Sequence, residues 1–153
     1  MRPGCGAILA LPVVMLADRA RSFGETQALE DVRVLVVDSD TQSARMLSAV
    51  LEREGSEARV ARSAEDALAE LRTFAAHAVV LDLVLPRMSG LLLARRLKQT
   101  TATRGAVLIA VSPIDSPFTA QLARTAGCAA YLSKPIDVEA FPKILAEHLK
   151  GRP

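Results

Sequence analysis

Two hydrophobic periods alternate along this chain from Val32 onward. Five short runs read as strands: VRVLVV (32–37), SEARVA (56–61), HAVVLD (77–82), AVLIAVS (106–112) and CAAYLS (128–133). Between and after them, apolar residues recur at three and four, the spacing of one helix face. They are Leu47, Val50 and Leu51; then Ala67, Leu68, Leu71 and Phe74; then Leu92, Leu93 and Leu97; then Leu122 and Ala123; and finally Phe141, Ile144, Leu145 and Leu149. The resulting order βαβαβαβαβα predicts an α/β fold, a doubly wound five-stranded parallel sheet of flavodoxin-like (βα)5 type. Helices then cover both faces of the sheet, which is why the first, third and fourth strands are apolar almost without alternation. The second strand is more polar and is expected at an edge. Ser63, with Glu65 and Asp66 close behind, signals a helix start, and Gly127 signals the end of the fourth helix.

A chain of 153 residues, 50% hydrophobic and 24% charged, has room for one domain with a proper core. The span 31–150 is expected to form it, with a tail at 151–153. The net charge of +2 comes without a Lys/Arg run, and only 3% of residues are aromatic, so direct nucleic-acid binding is not expected. Cys5 and Cys128 lack the spacing of a zinc site or disulfide framework and read as reduced thiols of a cytoplasmic protein. Residues 1–30 read as an extension, either disordered or preceding a true start at Met15. The apolar run from Ala7 to Ala17 is interrupted by Pro12 and falls short of the ~20 residues that span a bilayer, so no membrane association is expected.

Ligands of an open doubly wound sheet collect at the carboxyl ends of its strands. There the first run ends in Asp38, Ser39 and Asp40, the third in Asp82, the fourth in Ser112, and the fifth leads into Lys134. Each has a structural reading of its own. Asp40 or Thr41 could cap the first helix, Ser112 could open a turn with Pro113, and Lys134 could be a solvated lysine. Taken together they are three carboxylates, a hydroxyl and an ammonium converging from four strands, a set suited to a cation or a phosphoryl group.

These residues resemble the receiver domain of two-component response regulators, over Val32 to about Lys150. Asp82 in VVLDLVLPRMSG, followed by Pro86 and Gly90, is similar to the family's phosphoacceptor motif; AVS at 110–112 and YLSKP at 131–135 are similar to the ends of its fourth and fifth strands. The resemblance implies that Asp82 is phosphorylated by a histidine kinase or phosphotransfer protein. A carboxylate can take a phosphoryl group as an acyl phosphate when the charge on the transferring oxygens is neutralised. It further implies Mg²⁺ on Asp38, Asp82 and the Val84 backbone carbonyl, and Lys134 and Ser112 as partners of the phosphoryl oxygens. It also implies a cis bond between Lys134 and Pro135, and Tyr131 as a switch residue. Output would then be docking by a stand-alone receiver to a downstream protein, or homodimer formation, through the face of the last two helices and fifth strand.

The chain departs from the family pattern at Ser39, where a second acid and direct metal ligand usually stands; Asp40, or Ser39 itself, is the candidate to fill that place. Pro113 would stiffen the loop after Ser112, and Val84 and Ile114 are apolar at positions that influence acyl-phosphate lifetime in the family. Two other readings follow. One is a degenerate receiver acting as a phosphorylation-independent binding module. The other takes DSDT (38–41) as the nucleophile and acid pair, Asp38 and Asp40, of a haloacid-dehalogenase-like phosphatase, a short motif that leaves Asp82, Pro86 and Gly90 unexplained.

Overall fold

The five apolar runs become five parallel strands in the computed structural model, which describes residues 29–150. They are β1 (Arg33–Val37), β2 (Glu57–Ala61), β3 (Ala78–Asp82), β4 (Val107–Ser112) and β5 (Ala130–Ser133). Their spatial order is β2-β1-β3-β4-β5. Five helices alternate with them: α1 (Thr41–Arg53), α2 (Ala64–Glu70), α3 (Gly90–Gln99), α4 (Pro117–Thr125) and α5 (Phe141–Leu149). Polar β2 does lie at an edge, while every residue of β3 and β4 is buried. The expectations for Cys5, Met15 and the Ala7–Ala17 run lie outside the described residues.

Because side chains alternate across a strand, the sheet divides the interior into two cores. On one face Leu35, Val79, Leu81 and Leu108 pack against Ala67 of α2, Leu93 and Leu97 of α3, and Ala123 of α4. On the other, Val34, Val36, Val80 and Ile109 pack against Leu47 and Leu51 of α1 and Phe141 and Leu145 of α5. The helices start where side chains can accept from otherwise unpaired N–H groups: Ser63 from Asp66, Ser89 from Leu92 and Ser116 from Thr119. Gly127, at φ +109°, follows the end of α4 in the left-handed region that glycine enters without penalty.

Three apolar residues behave differently from the periodic reading. Leu92 and Leu122 are exposed, because Leu93 and Ala123 beside them take the inward position and a neighbour ~100° around the helix cannot share it. Phe74 is buried although α2 ends at Glu70; it folds back beneath Arg59, whose guanidinium stacks 4.4 Å from the ring centre. At the other end of the domain, Leu29 is fully buried in the α1/α5 core, two residues before the expected boundary. Its carbonyl accepts from the Val32 N–H and the Ser56 hydroxyl, both at 3.1 Å.

Gly90 ties the fold to the strand ends. Its N–H donates to the Leu83 carbonyl at 3.1 Å, and a Cβ built on it would lie 2.2 Å from the Asp82 carbonyl oxygen and 2.6 Å from the Leu83 Cα. The obstructing atoms are backbone and cannot swing aside, so α3 can start this close to β3 only from a residue without a side chain. Gly90→Ala is expected to destabilise the fold by about 2 kcal/mol or more, as overpacking does. Urea unfolding would show it as a lower midpoint with an unchanged slope, and an unchanged midpoint would refute the close-approach account.

Candidate functional site

All the polar residues expected at the strand ends sit at one edge of the sheet, but they do not play equal parts. β1 runs out at Val37, and Asp38 follows with its N–H donating to the Ala61 carbonyl at 3.0 Å. Asp38 Oδ1 accepts from the Asp40 N–H at 2.9 Å, and Asp82 Oδ1 accepts from the Val84 N–H at 2.8 Å. These two local turns orient the carboxylates alike, each bonded to the backbone two residues on. The remaining oxygens meet one cation: Lys134 Nζ stands 2.9 Å from Asp38 Oδ2 and 2.8 Å from Asp82 Oδ2.

Lys134 is delivered by β5. Its N–H donates to the Ser112 carbonyl at 2.8 Å, and the Lys134–Pro135 peptide is cis. The carboxylate side chains are 4% and 7% exposed and the lysine side chain 20%, so the acids are the buried members and the ammonium faces partly into solvent. Burial alone would lower the lysine's proton affinity, yet hydrogen bonds and charges from Asp82 and Asp38 outweigh it and its pKa lies above the ordinary lysine value.

Ser112 ends β4 fully buried, and its hydroxyl accepts from the Ile114 N–H at 3.1 Å. A hydroxyl has one proton to give and two lone pairs, so this bond leaves its proton available. Tyr131, on β5, donates its hydroxyl to the Ile114 carbonyl. The loop after β4 is thus held by Ser112 on one side of a single residue and by Tyr131 on the other.

Asp40 faces away from this cluster. It is the N-cap of α1, with Oδ1 accepting from the Gln42 N–H at 3.1 Å and Oδ2 from the Ser43 hydroxyl at 2.9 Å. The Ser43 hydroxyl and the Gln42 N–H hold its carboxyl below the usual range. Ser39 is exposed, as is the Val84 side chain. Among the described residues no group of three or more His, Cys, Asp or Glu side chains is placed to hold a metal ion. What remains is an all-oxygen set built on two carboxylates, Asp38 and Asp82. That number and type suit Mg²⁺, which is usually held by one or two carboxylates and keeps several waters.

A groove of about 290 Å³ beside Lys134, lined by Ser43, Met46, Leu47, Lys134, Pro135 and Ile136, was not legible in the sequence. Met46 and Ile136 belong to none of the runs or motifs that the sequence singles out. Cys128 is not part of the site: burial pushes its thiol up to about 11, which leaves it un-ionised and unreactive at neutral pH.

A family model described as the response regulator receiver domain matches residues 34–146. Protein PilH of Pseudomonas aeruginosa is 29% identical over 119 residues, covering 78% of this chain and 98% of that protein. The polar-differentiation response regulator DivK of Brucella ovis is 29% identical over 116 residues, covering 76% of this chain and 94% of that one. Among solved structures, the CheY-like response regulator receiver domain protein of Methanospirillum hungatei superposes with a TM-score of 0.74 at 27% identity, over 80% of this chain and 97% of its own. The chain belongs to the response regulator receiver domain family. Among the described residues no helix is long and apolar enough to cross a membrane.

The ammonium's place between two buried acids has a measurable consequence. Lys134→Met leaves both carboxylates without their cation and is expected to cost about 2 kcal/mol, below the 3–5 kcal/mol of a wholly buried pair because the lysine is partly solvated. A lysine whose pKa is raised by folding contributes its full stabilisation below the unfolded value near 10.4 and loses it as pH rises through the higher folded value. Denaturation across pH should therefore show a parent–variant gap that is flat from about pH 6 to 9 and closes only above about pH 10.5. A gap that closed near neutrality would contradict this arrangement.

Proposed function

We propose that Asp82 of this receiver domain accepts a phosphoryl group from a histidine kinase or phosphotransfer protein and that the resulting change is read through a docking surface. The observation that carries this reading is the single ammonium shared by Asp38 and Asp82, with the Ser112 hydroxyl on the adjacent strand end. In the transfer an Asp82 oxygen attacks phosphorus in line, the bond from phosphorus to the donor's imidazole nitrogen breaks, and the imidazole takes up a proton as it leaves. Lys134 holds one developing negative oxygen and the Ser112 proton, uncommitted in the resting site, goes to another. Mg²⁺ would be held by Asp38, Asp82 and the Val84 carbonyl, and when bound would neutralise charge on the transferring group.

Phosphorylation would be felt outside through Ser112, since its hydroxyl also receives the Ile114 N–H, and Ile114 receives Tyr131. That chain leads to the face of α4, β5 and α5, the candidate surface for a downstream protein or a second copy. The phosphatase reading needs Asp40 as an acid beside Asp38, and Asp40 is instead occupied as the α1 cap. The binding-module reading has one observation in its favour: with Asp40 turned to the helix and neutral Ser39 exposed, the site is one carboxylate short of the family pattern.

Incubation with acetyl phosphate and Mg²⁺ should label Asp82 and fail to label Asp82→Asn, as read by mass spectrometry. A label elsewhere would refute the assignment. Ser39→Asp adds a third acid near Asp38 and Asp82, where like charges repel until a cation relieves them. It is expected to tighten Mg²⁺ binding about tenfold, near 1.4 kcal/mol, while slightly destabilising the metal-free fold. Calorimetric titration of both proteins decides: equal affinities would mean that the parent site already has the donors it needs, and no binding by the parent would favour the binding module.

A further inference from the structure

The groove beside Lys134 is walled by two elements. Ser43, Met46 and Leu47 come from the first two turns of α1, and Lys134, Pro135 and Ile136 from the segment that joins β5 to α5. Leu47 also belongs to the core between the sheet and helices α1 and α5, and Ile136 packs against that same core. The groove is therefore one open end of the crease between these two helices. Met46 stands 44% exposed at its rim, and a methionine adapts its shape to whatever apolar surface meets it.

The other end of the crease is where the chain enters the domain. Leu29 is sealed into the same core, and its carbonyl accepts from the Ser56 hydroxyl, while the Ser56 N–H donates at 3.1 Å to the Leu51 carbonyl in the last turns of α1. Ahead of Leu29 lie eleven residues, 18–28, and before them the run AILALPVVMLA at 7–17, without one polar side chain. Eleven extended residues reach up to ~36 Å. Ser43 is eight residues from Leu51, about 12 Å along the helix, so the linker spans the crease with slack to spare.

We infer that residues 7–17 seat in this groove of their own chain, with their apolar side chains against Met46, Leu47, Pro135 and Ile136. Tethering decides the occupant. A segment held this close meets the groove at an effective concentration of about millimolar, which a second copy or a separate protein matches only at that bulk concentration. The run also brings no charge that would have to be desolvated against apolar walls. Attachment at Leu29 further selects the face: Phe118, the most exposed large apolar residue among those described, lies on α4, which packs on the opposite side of the sheet. To cover it the run would have to pass round a sheet edge. Because Lys134 forms part of the wall, the seated run narrows the approach to Asp38 and Asp82 from the α1 side. The inference does not depend on phosphorylation of Asp82.

The test uses the full chain with a nitroxide spin label attached by thiol chemistry. The label goes to Cys5, two residues ahead of the run, because Cys128 is buried and un-ionised at neutral pH. In the ¹⁵N-labelled protein the nitroxide should erase the amide signals of Ser43, Met46, Leu47 and Ile136 and spare those of α4. Leu11→Asp with Val14→Asp in the run, and separately Met46→Asp in the groove, should each restore the erased signals. Signals erased evenly over the domain, at α4 instead, or nowhere would overturn the inference, as would groove signals that stay erased in either variant. So would their loss in a ¹⁵N-labelled chain without nitroxide mixed with a spin-labelled chain without ¹⁵N, which would assign the groove to the run of a second copy.

Discussion

Everything at the functional end of this domain depends on one ammonium holding two buried carboxylates together. Asp38 and Asp82 stand at the ends of neighbouring strands, β1 and β3, and two buried carboxylates side by side repel one another unless a cation lies between them. The cation does not come from either strand or from the helices that follow them. It arrives from β5, separated from β3 by β4, so the site is complete only when β1, β3, β4 and β5 lie side by side in that order. Local turns aim the carboxylates in advance through the Asp40 and Val84 N–H groups; only the lysine is a long-range contribution. Folding and site formation are for this reason one event.

Much of this could be read from residue types and spacing. Strands buried on both faces cannot alternate, so apolar β1, β3 and β4 declared themselves central and polar β2 declared itself an edge. Asp82, Pro86 and Gly90 marked the loop after β3, and the structure supplies the reason for the glycine: α3 begins against the backbone of Asp82 itself. Asp38, Asp82, Ser112 and Lys134 stood at strand ends, where an α/β sheet collects its chemistry. What spacing could not decide was the division of labour between Asp38 and Asp40. The two acids are chemically identical and two residues apart, and the outcome turns on the first N–H groups of α1, which need an acceptor and find it in Asp40. Adjacent apolar pairs posed a similar ambiguity: Leu92 with Leu93, and Leu122 with Ala123, fit either phase of a helix face until the sheet beneath selects one.

Ile114 shows how site and surface are joined without any rigid lever. Its N–H belongs to Ser112, its carbonyl to Tyr131, and its side chain to the solvent beside α4. A change in the demands made on the Ser112 hydroxyl would therefore act on one peptide unit whose other polar group is held by a different strand. Pro113 narrows the ways in which that loop can answer, since its ring leaves one backbone torsion fixed.

Leu29 bears on how the domain opens rather than on how it is built. A residue just ahead of the first strand would ordinarily fray independently of the body, its amides exchanging with solvent through small local openings. Here the side chain is sealed into the α1/α5 core, and its carbonyl is bonded to the Ser56 hydroxyl, itself buried. Releasing it uncovers the base of β1 and the turn into β2 at once. The amide of Val32, which donates to that carbonyl, should accordingly exchange at the slow rate of the sheet, and tension applied to the chain ahead of Leu29 would be transmitted straight into β1, an interior strand of the sheet.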